Sequence, residues 1–279
     1  MKRTSFSPLR RLGDGTVWFA VGLNLLLLVW IFTTAIRNTR DIFARPFGLP
    51  TDINLRNFVK AWEGGGFGQA ALSSVYVSVV SAFLAVAIAA PAAYMLARRR
   101  TRTSGAITMS FVMGLGVPGQ VLMVPLFVGL AQIQLTDSFT GLILVYVGLA
   151  MPFTVYLLTG FFAGVPKVLE EAAAIDGATG LRCFVRIVLP VARGGLTTAF
   201  LLNFIHGWNE TLFAIVLMHS EDKVTLPVAL ANFVASQQLS GLDWGTMFAG
   251  IAIILAPLVA LFTWMGNRIV QGMTVGIDK

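Results

Sequence analysis

The sequence predicts an all-α protein that crosses a membrane six times. Hydrophobic residues make up 56% of the 279 positions and charged residues only 12%, and the mean hydropathy is +0.79. Soluble domains carry about twice that share of charge. The apolar residues also form six runs of roughly 20 residues, which is the length that crosses a bilayer as a helix. We therefore expect residues 1–279 to form a single transmembrane domain.

The six spans follow from these apolar runs. We place them at 17–36, 71–96, 107–130, 141–162, 196–218 and 247–270. The first run is longer than the roughly 7–15 apolar residues of a signal peptide, so it is predicted to be a retained span. The turn-rich segment 37–70 and the polar segment from His219 to about Trp244 are predicted to be connections.

The distribution of Lys and Arg predicts the orientation. If the N-terminal segment 1–16 lies inside, 14 of the 20 basic residues fall on the inner side and 6 on the outer side. Inner loops of membrane proteins are enriched in Lys and Arg. Both termini are therefore predicted to be cytoplasmic, as is the segment 163–195 between the fourth and fifth spans.

The cytoplasmic segment 163–195 is predicted to contain two short helices joined by a turn. Apolar side chains recur at helical spacing after Pro166, which suits a first helical turn; they are Val168, Leu169, Ala172 and Ile175. Asp176-Gly177 is a turn signal, because glycine enters the left-handed region without a steric penalty. A second helix is predicted to start near Thr179 and to be interrupted at Pro190. We call residues 166–190 the elbow.

The elbow resembles the EAA loop of ABC-importer permeases. The likeness lies in Glu171-Ala172-Ala173, in Gly177 six residues after Glu171, and in Ile187 and Leu189-Pro190. In that family the loop is a coupling helix that docks into a groove on a cytoplasmic ATPase. The resemblance implies this coupling role for eight residues: Glu170, Glu171, Ala172, Ala173, Asp176, Gly177, Leu189 and Pro190. The alternative is an ordinary surface helix with a glycine cap.

From about residue 93 to the end, the chain is similar to the permeases of oligosaccharide importers, in particular to the smaller maltose-type subunit without a large external domain. The landmarks follow the family order: 117–120, 124–126, 161–162, the elbow, 208–210, 225–227 and 272–276. The family implies a bacterial cytoplasmic membrane, a second homologous permease, two ATP-binding subunits and an extracytoplasmic sugar-binding protein. ATP and Mg would be bound by the partner ATPase. One departure is Arg193-Gly194-Gly195, where many relatives have a proline.

The fifth span carries polar residues in an otherwise apolar run: Asn203, His206, Trp208, Asn209 and Glu210. Such residues are costly at membrane depth and usually face a cavity or the bundle interior. At about 100° per residue, Asn203, His206 and Glu210 lie within roughly 60° of one another on the helix. One hypothesis is a sugar path in which Trp208 stacks on the ring. The other is polar bridging between helices.

Other classes of function find little support. No phosphate-binding loop of the G-x-x-x-x-G-K-[ST] type occurs, and the match to G-x-G-x-x-G at 114–119 lies inside an apolar run, where it predicts a broken helix and not a dinucleotide site. No residues have the spacing of a catalytic or metal site, and the basic residues flank the spans, so nucleic acid is not an expected partner. An ion-coupled secondary transporter, or a permease for a different small solute, remains the alternative.

Overall fold

The computed structural model describes residues 8–99, 101–241 and 243–274, and all regular structure in them is helical. The elements are, in order, α1 (Pro8–Ala35), α2 (Thr39–Ala44), α3 (Arg56–Gly64), α4 (Phe67–Arg98), α5 (Arg102–Leu115), a 3₁₀ turn (Gly119–Leu122), α6 (Met123–Gln132), α7 (Phe139–Gly164), α8 (Val168–Ile175), α9 (Gly180–Cys183), a π-helical turn (Phe184–Val188), α10 (Leu189–Val191), α11 (Arg193–Asn209), α12 (Leu212–Leu217), α13 (Leu226–Ser240) and α14 (Trp244–Thr274). Parts of the predicted basic start, the arginine loop and the tail lie outside the described residues, at 1–7, Arg100 and 275–279.

Several of these helices have the length and hydropathy of membrane spans. Within the described residues, Gly15–Ala35 of α1, α4 and α7 each qualify, and two bent pairs raise the number to five if each pair is one span. The first pair joins Arg102–Leu115 to Gly119–Gln132 across a bend of 92°. The helix break predicted at 114–119 is therefore confirmed, and it divides the third predicted span.

The fifth predicted span, 196–218, is also divided. The helix α11 begins at Arg193 and ends at Asn209. After Glu210 and Thr211, α12 follows as a separate helix of six residues. The helical segment Gly180–Val191, which contains the second helix of the elbow, is bent by 75° relative to α11. The polar residues 208–211 thus lie at a helix end.

The prediction of a loop from His219 to about Trp244 is wrong, because α13 occupies most of it. Its apolar stretch is too short to be recognised as a span, and charged residues precede it. The connection 37–70 likewise contains the short helices α2 and α3. In both cases the helix forms because tertiary packing stabilises segments whose hydropathy alone does not identify them.

The described parts of the chain divide into two compact units, 1–67 with 230–257 and 68–229 with 258–279. In the first unit, the side chain of Arg37 is 1% exposed. Its guanidinium donates to Asp41 Oδ2 at 2.6 Å and to the carbonyl oxygens of Asp41 at 2.7 Å and Arg45 at 2.6 Å. These bonds satisfy the buried charge. The hydrogen bond from Arg37 also holds the pKa of Asp41 below its usual value.

In the second unit the elbow shares a hydrophobic core with the long helices. The core takes alanines from α4, larger side chains from α7, residues of the elbow and its flanks, and Ala199 of α11. Its buried members are Ala89, Ala90, Ala93, Val155, Leu158, Phe162, Val165, Ala173, Cys183, Phe184, Val188, Ala192 and Ala199. The small side chains of α4 allow its backbone to approach the neighbouring helices closely. The elbow is therefore packed against the ends of α4 and α7.

Asp137 joins the loop before α7 to the segment after α12. Its carboxylate accepts hydrogen bonds from the N–H groups of His219 at 2.9 Å and Ser220 at 3.0 Å, and from the Ser220 hydroxyl. Lys223 Nζ donates to the Asp137 carbonyl oxygen at 2.9 Å. The bonds from Ser220 and His219 hold the pKa of Asp137 well below its usual range.

Replacing this carboxylate is expected to make stability less sensitive to acid. Asp137→Asn should lower the midpoint of thermal unfolding in detergent at pH 7 by about 2–4 °C, equivalent to about 1 kcal/mol. Because the native pKa is depressed, the contribution is complete above the unfolded-state pKa of about 3.9 and is lost as the pH falls through the native pKa. The difference between variant and wild type should therefore shrink below about pH 4.

Asp222→Asn is the control for this experiment. The Asp222 side chain is exposed and makes no hydrogen bond to another described residue. We expect its midpoint to stay at the wild-type value at pH 7. A similar shift in both variants would mean that net charge, and not the bonds to His219 and Ser220, determines the effect.

Candidate functional site

The elbow contains the predicted helix, glycine turn and second helix. Gly177 has φ +75°, the left-handed region that glycine enters freely. The Gly177 N–H bonds to the Ala174 carbonyl at 3.1 Å, and the Ala178 N–H bonds to the Ala173 carbonyl at 2.9 Å. These two bonds are the Schellman arrangement that ends a helix. The second arm then starts at Thr179, whose hydroxyl accepts from the Arg182 N–H at 3.4 Å.

Three of the four apolar residues predicted at helical spacing lie on the exposed side of α8, whereas Leu169 is half-buried and packs against the core. Val168 is 63% exposed and Ile175 is 87% exposed, and Ala172 between them is also exposed. Leu181, at the start of the second arm, is 74% exposed. An apolar stripe that the chain leaves uncovered is the expected feature of a surface that binds a partner.

The elbow residues assigned by resemblance divide between the surface and the interior. Exposed members are Glu171, Ala172, Asp176, Gly177 and Pro190. Ala173 is 4% exposed and packs in the core shared with α7, Glu170 is turned toward α4, and Leu189 is half-buried. The resemblance assigned Ala172 and Ala173 the same role, but Ala172 is exposed and Ala173 is buried. Only Ala172 offers a close approach from outside.

On α11, Asn203 is buried and bridges two helices. Its Nδ2 donates to Thr154 Oγ1 of α7 and to the Ala199 carbonyl, each at 2.9 Å. This is the arrangement expected from polar bridging, the second of the two hypotheses for this stripe. Thr154 was not identified from the sequence, because a hydroxyl in an apolar run often bonds only to its own helix.

Trp208 does not offer its ring to a substrate. It is 3% exposed, and its ring lies against Phe204 with centroids 5.7 Å apart. The expectation that Trp208 is available for stacking is therefore corrected by its burial. Trp208 directly precedes Asn209, whose side chain is exposed. The direction of the Trp208 indole is nevertheless set by the neighbouring helices.

His206, Asn209 and Glu210 lie together on an open groove at the end of α11. The groove has a volume of about 550 Å³, and its other lining residues are Leu202, Ile205, Thr211 and Leu212. His206 and Asn209 are exposed. A partly apolar surface with a few convergent hydrogen-bonding groups suits a polar organic solute.

Glu210 also has a local structural role at the helix break. Its carboxylate accepts hydrogen bonds from the Phe213 N–H at 3.0 Å and the Ala214 N–H at 3.2 Å, at the start of α12. The Tyr146 hydroxyl of α7 donates to the same carboxylate at 2.9 Å. Glu210 therefore holds the break in place and is only partly available to a ligand. Tyr146 is a further member of this site that the sequence did not identify.

No group of three or more His, Cys, Asp or Glu side chains within the described ranges is arranged to hold a metal ion. His206 and His219 lie in different surroundings, on the groove and next to Asp137.

Residues 89–275 match the family of binding-protein-dependent transport system inner membrane components. Three relatives match nearly all of the chain. A probable ABC transporter permease, YurM of Bacillus subtilis, is 35% identical over 96% of this chain and 89% of its own length. The diacetylchitobiose uptake permease NgcG of Streptomyces coelicolor is 33% identical over 89% and 82%. The trehalose transport permease SugB of Mycobacterium tuberculosis is 33% identical over 93% and 94%.

The fold is shared with a chain of a bacterial ABC transporter that imports the acidic polysaccharide alginate. The two structures superpose with a TM-score of 0.77 at 22% sequence identity, over 94% of this chain and 98% of the other. At this identity the likeness concerns the helical architecture alone.

Proposed function

We propose, since this chain belongs to the family of binding-protein-dependent transport system inner membrane components, that it is the permease subunit of an ATP-driven importer for a sugar or oligosaccharide. The sugar class is supported by relatives named for diacetylchitobiose and trehalose. This chain does not itself hydrolyse ATP. ATP and Mg are bound by a separate ATPase, which the elbow contacts.

The observation that carries the coupling role is the uncovered face of α8. Val168, Ala172 and Ile175 form an exposed apolar stripe, and the exposed carboxylate of Glu171 stands next to it. A groove with apolar walls and a basic rim would bury this stripe and pair the carboxylate. The positive φ of Gly177 sets the angle at which the helix projects.

The proposed assembly contains this permease, a second homologous permease, two ATP-binding subunits and an extracytoplasmic sugar-binding protein, in a bacterial cytoplasmic membrane. Six spans and two cytoplasmic termini complete the topology. Support for a sixth span comes from α14, whose described part includes the apolar helix Trp244–Ala260. The excess of Lys and Arg on one side supports the orientation.

Purification from the native membrane tests the assembly. We expect an ATP-binding subunit to co-purify with the tagged chain, and proteoliposomes of the complex to take up sugar only when ATP is present on the cytoplasmic side. Uptake by this chain alone, driven by an ion gradient and abolished by an ionophore, would instead establish the ion-coupled alternative.

The groove of α11 is proposed to contact the solute as it passes. His206→Ala and Asn209→Ala should each raise the KM for uptake by about three- to tenfold, because a lost hydrogen bond to a ligand costs about 0.5–1.5 kcal/mol. ATP hydrolysis in the absence of solute should stay at the wild-type rate, since neither residue lies in the elbow. Initial rates of labelled-sugar uptake at varied concentration measure the effect.

Asn24→Ala is the matched control for Asn209. Both amides donate to the carbonyl oxygen four residues earlier in their own helix, Asn24 to Ala20 at 2.8 Å and Asn209 to Ile205 at 2.7 Å. Only Asn209 lines the groove. An equal change of KM in both variants would argue against a solute contact at Asn209.

A further inference from the structure

The two adjacent glutamates of α8 have opposite surroundings. The Glu170 side chain is 21% exposed, and its Oε1 accepts from Arg98 Nε at 2.5 Å. Its Oε2 accepts from the Tyr94 hydroxyl at 3.0 Å. The Glu171 side chain is exposed and forms no hydrogen bond or ion pair with another residue that the structure describes. Both carboxylate oxygens of Glu170 are thus already occupied within the chain.

Arg98 connects α8 to the ends of two long helices. It is the last residue of α4, and its side chain is 11% exposed. Besides Glu170, it donates from Nη2 to the carbonyl oxygen of Val165, the residue that directly follows α7, at 3.0 Å. A cation at that position also interacts favourably with the terminal carbonyl groups of α7.

Tyr94 extends the same cluster into the aromatic core. Its ring centroid lies 5.8 Å from that of Phe162 on α7 and 4.9 Å from that of Phe184 in the π-helical turn. The Arg98 guanidinium lies 5.7 Å from the Tyr94 ring centroid. Tyr94, Arg98 and Glu170, which we call the elbow clamp, therefore join α4, α7, α8 and the second arm of the elbow.

We propose that the elbow clamp is the positioning device that makes α8 move as one body with α4 and α7 during transport. Arg98 and Tyr94 act through Glu170, whereas Glu171 is left for the partner. This inference rests on the proposed coupling to an ATPase and names the residues that transmit it. A helix of eight residues has little intrinsic stability, so it cannot transmit a displacement by itself. Its contacts with α4 and α7 therefore determine whether those helices move with it.

The consequence is a specific defect when the clamp is opened. Removing one partner leaves the other charge partly buried and unpaired, which favours a rearranged position of α8 relative to α4. The apolar stripe and Glu171 remain, so the ATPase should still bind and hydrolyse ATP. Fewer sugar molecules would then be transported for each ATP hydrolysed.

The measurement is the number of sugar molecules taken up per ATP hydrolysed, in proteoliposomes that hold the complete importer. Glu170→Ala and Arg98→Ala should each lower this ratio by about fivefold or more. The double variant should fall no further than either single variant, because both changes break the same interaction. Exchanging the charges, with Glu170→Arg and Arg98→Glu together, should recover part of the ratio, which general damage to the fold would not allow.

Arg99→Ala is the matched control for Arg98. The neighbouring Arg99 side chain is exposed and makes no hydrogen bond or ion pair with a described residue, so its ratio should equal that of the wild type. If the alanine variants fail to assemble, Tyr94→Phe tests the elbow clamp in their place. It keeps the ring and removes only the donor to Glu170, and it should lower the ratio by about two- to tenfold.

Different results would overturn the importer function and the role of the elbow clamp. A wild-type complex without ATP-dependent uptake would overturn the importer function itself. A wild-type complex that couples normally, together with wild-type ratios in Glu170→Ala, Arg98→Ala or Tyr94→Phe, would overturn the clamp and leave the importer standing. A ratio lowered equally by Arg99→Ala would also overturn it, because the effect would then come from positive charge in general.

Discussion

Gly177→Val is expected to reduce ATP-driven uptake by about tenfold or more. At φ +75° a residue with a Cβ is strained by about 1–3 kcal/mol, and a β-branched side chain is among the least tolerated there. The strain shifts the turn toward a conformation in which α8 projects at another angle. Uptake into vesicles measures the loss, and co-purification of the ATP-binding subunit shows whether docking or assembly is lost.

Two companion variants separate backbone strain from bulk. A Cβ at Gly177 would meet nothing within 4 Å, and the same holds at Gly180, which lacks a positive φ. We therefore expect Gly180→Val to keep most of the uptake. Gly177→Asn should also keep most of it, because asparagine tolerates the left-handed region. If Gly180→Val is as damaging as Gly177→Val, size at the partner surface and not turn geometry is responsible.

Gly195→Ala should be strongly destabilising although it adds a single methyl group. A Cβ at this position would lie 2.4 Å from Cγ of Phe161, so the ring or the helix has to move. Overpacking of this kind costs about 1–3 kcal/mol, which corresponds to a fall of about 2–10 °C in the thermal midpoint. Thermal unfolding in detergent, followed by size-exclusion chromatography, measures it.

The adjacent glycine is the control. A Cβ at Gly194 would meet nothing within 4 Å, and alanine is the better helix former by about 1 kcal/mol, so Gly194→Ala should be neutral or slightly stabilising. Equal stability of the two variants would mean that Phe161 moves aside without strain. In the segment Arg193-Gly194-Gly195, Gly195 permits the close approach of α11 to Phe161 of α7.

The elbow was predictable because its signals are local. Asp176-Gly177 specifies a left-handed turn through the stereochemistry of one residue, and the structure has that turn with both Schellman bonds. The break at 114–119 was predictable for the same reason, since glycines and a proline interrupt the helix in their own neighbourhood. The helix α13 was missed because its apolar stretch is too short for a span, although Pro227 at its start and Gly241 after its end are local signals of a helix.

The residues around the solute groove were only partly predictable. Helical spacing predicted Asn203, His206 and Glu210 on one side of the fifth span. His206 and Glu210 do line one groove, but Glu210 follows the end of α11 and Asn203 is buried. Periodicity along one helix carries no information about which helix faces it. The contacts of Asn203 with Thr154 and of Glu210 with Tyr146 are made by α7, about fifty and sixty residues earlier in the chain.

By itself, the sequence determined that this chain is a helical membrane protein, that a helix breaks at 114–119, and that a glycine turn separates two short helices in the segment 163–195. These properties depend on hydropathy and on backbone stereochemistry, which act over a few residues. Tertiary packing alone decided that the apolar stripe of α8 faces outward, that Trp208 is buried, and that Glu170 pairs with Arg98 while Glu171 does not. The direction of a side chain on a short helix depends on which neighbours pack against that helix, and those neighbours come from distant parts of the chain.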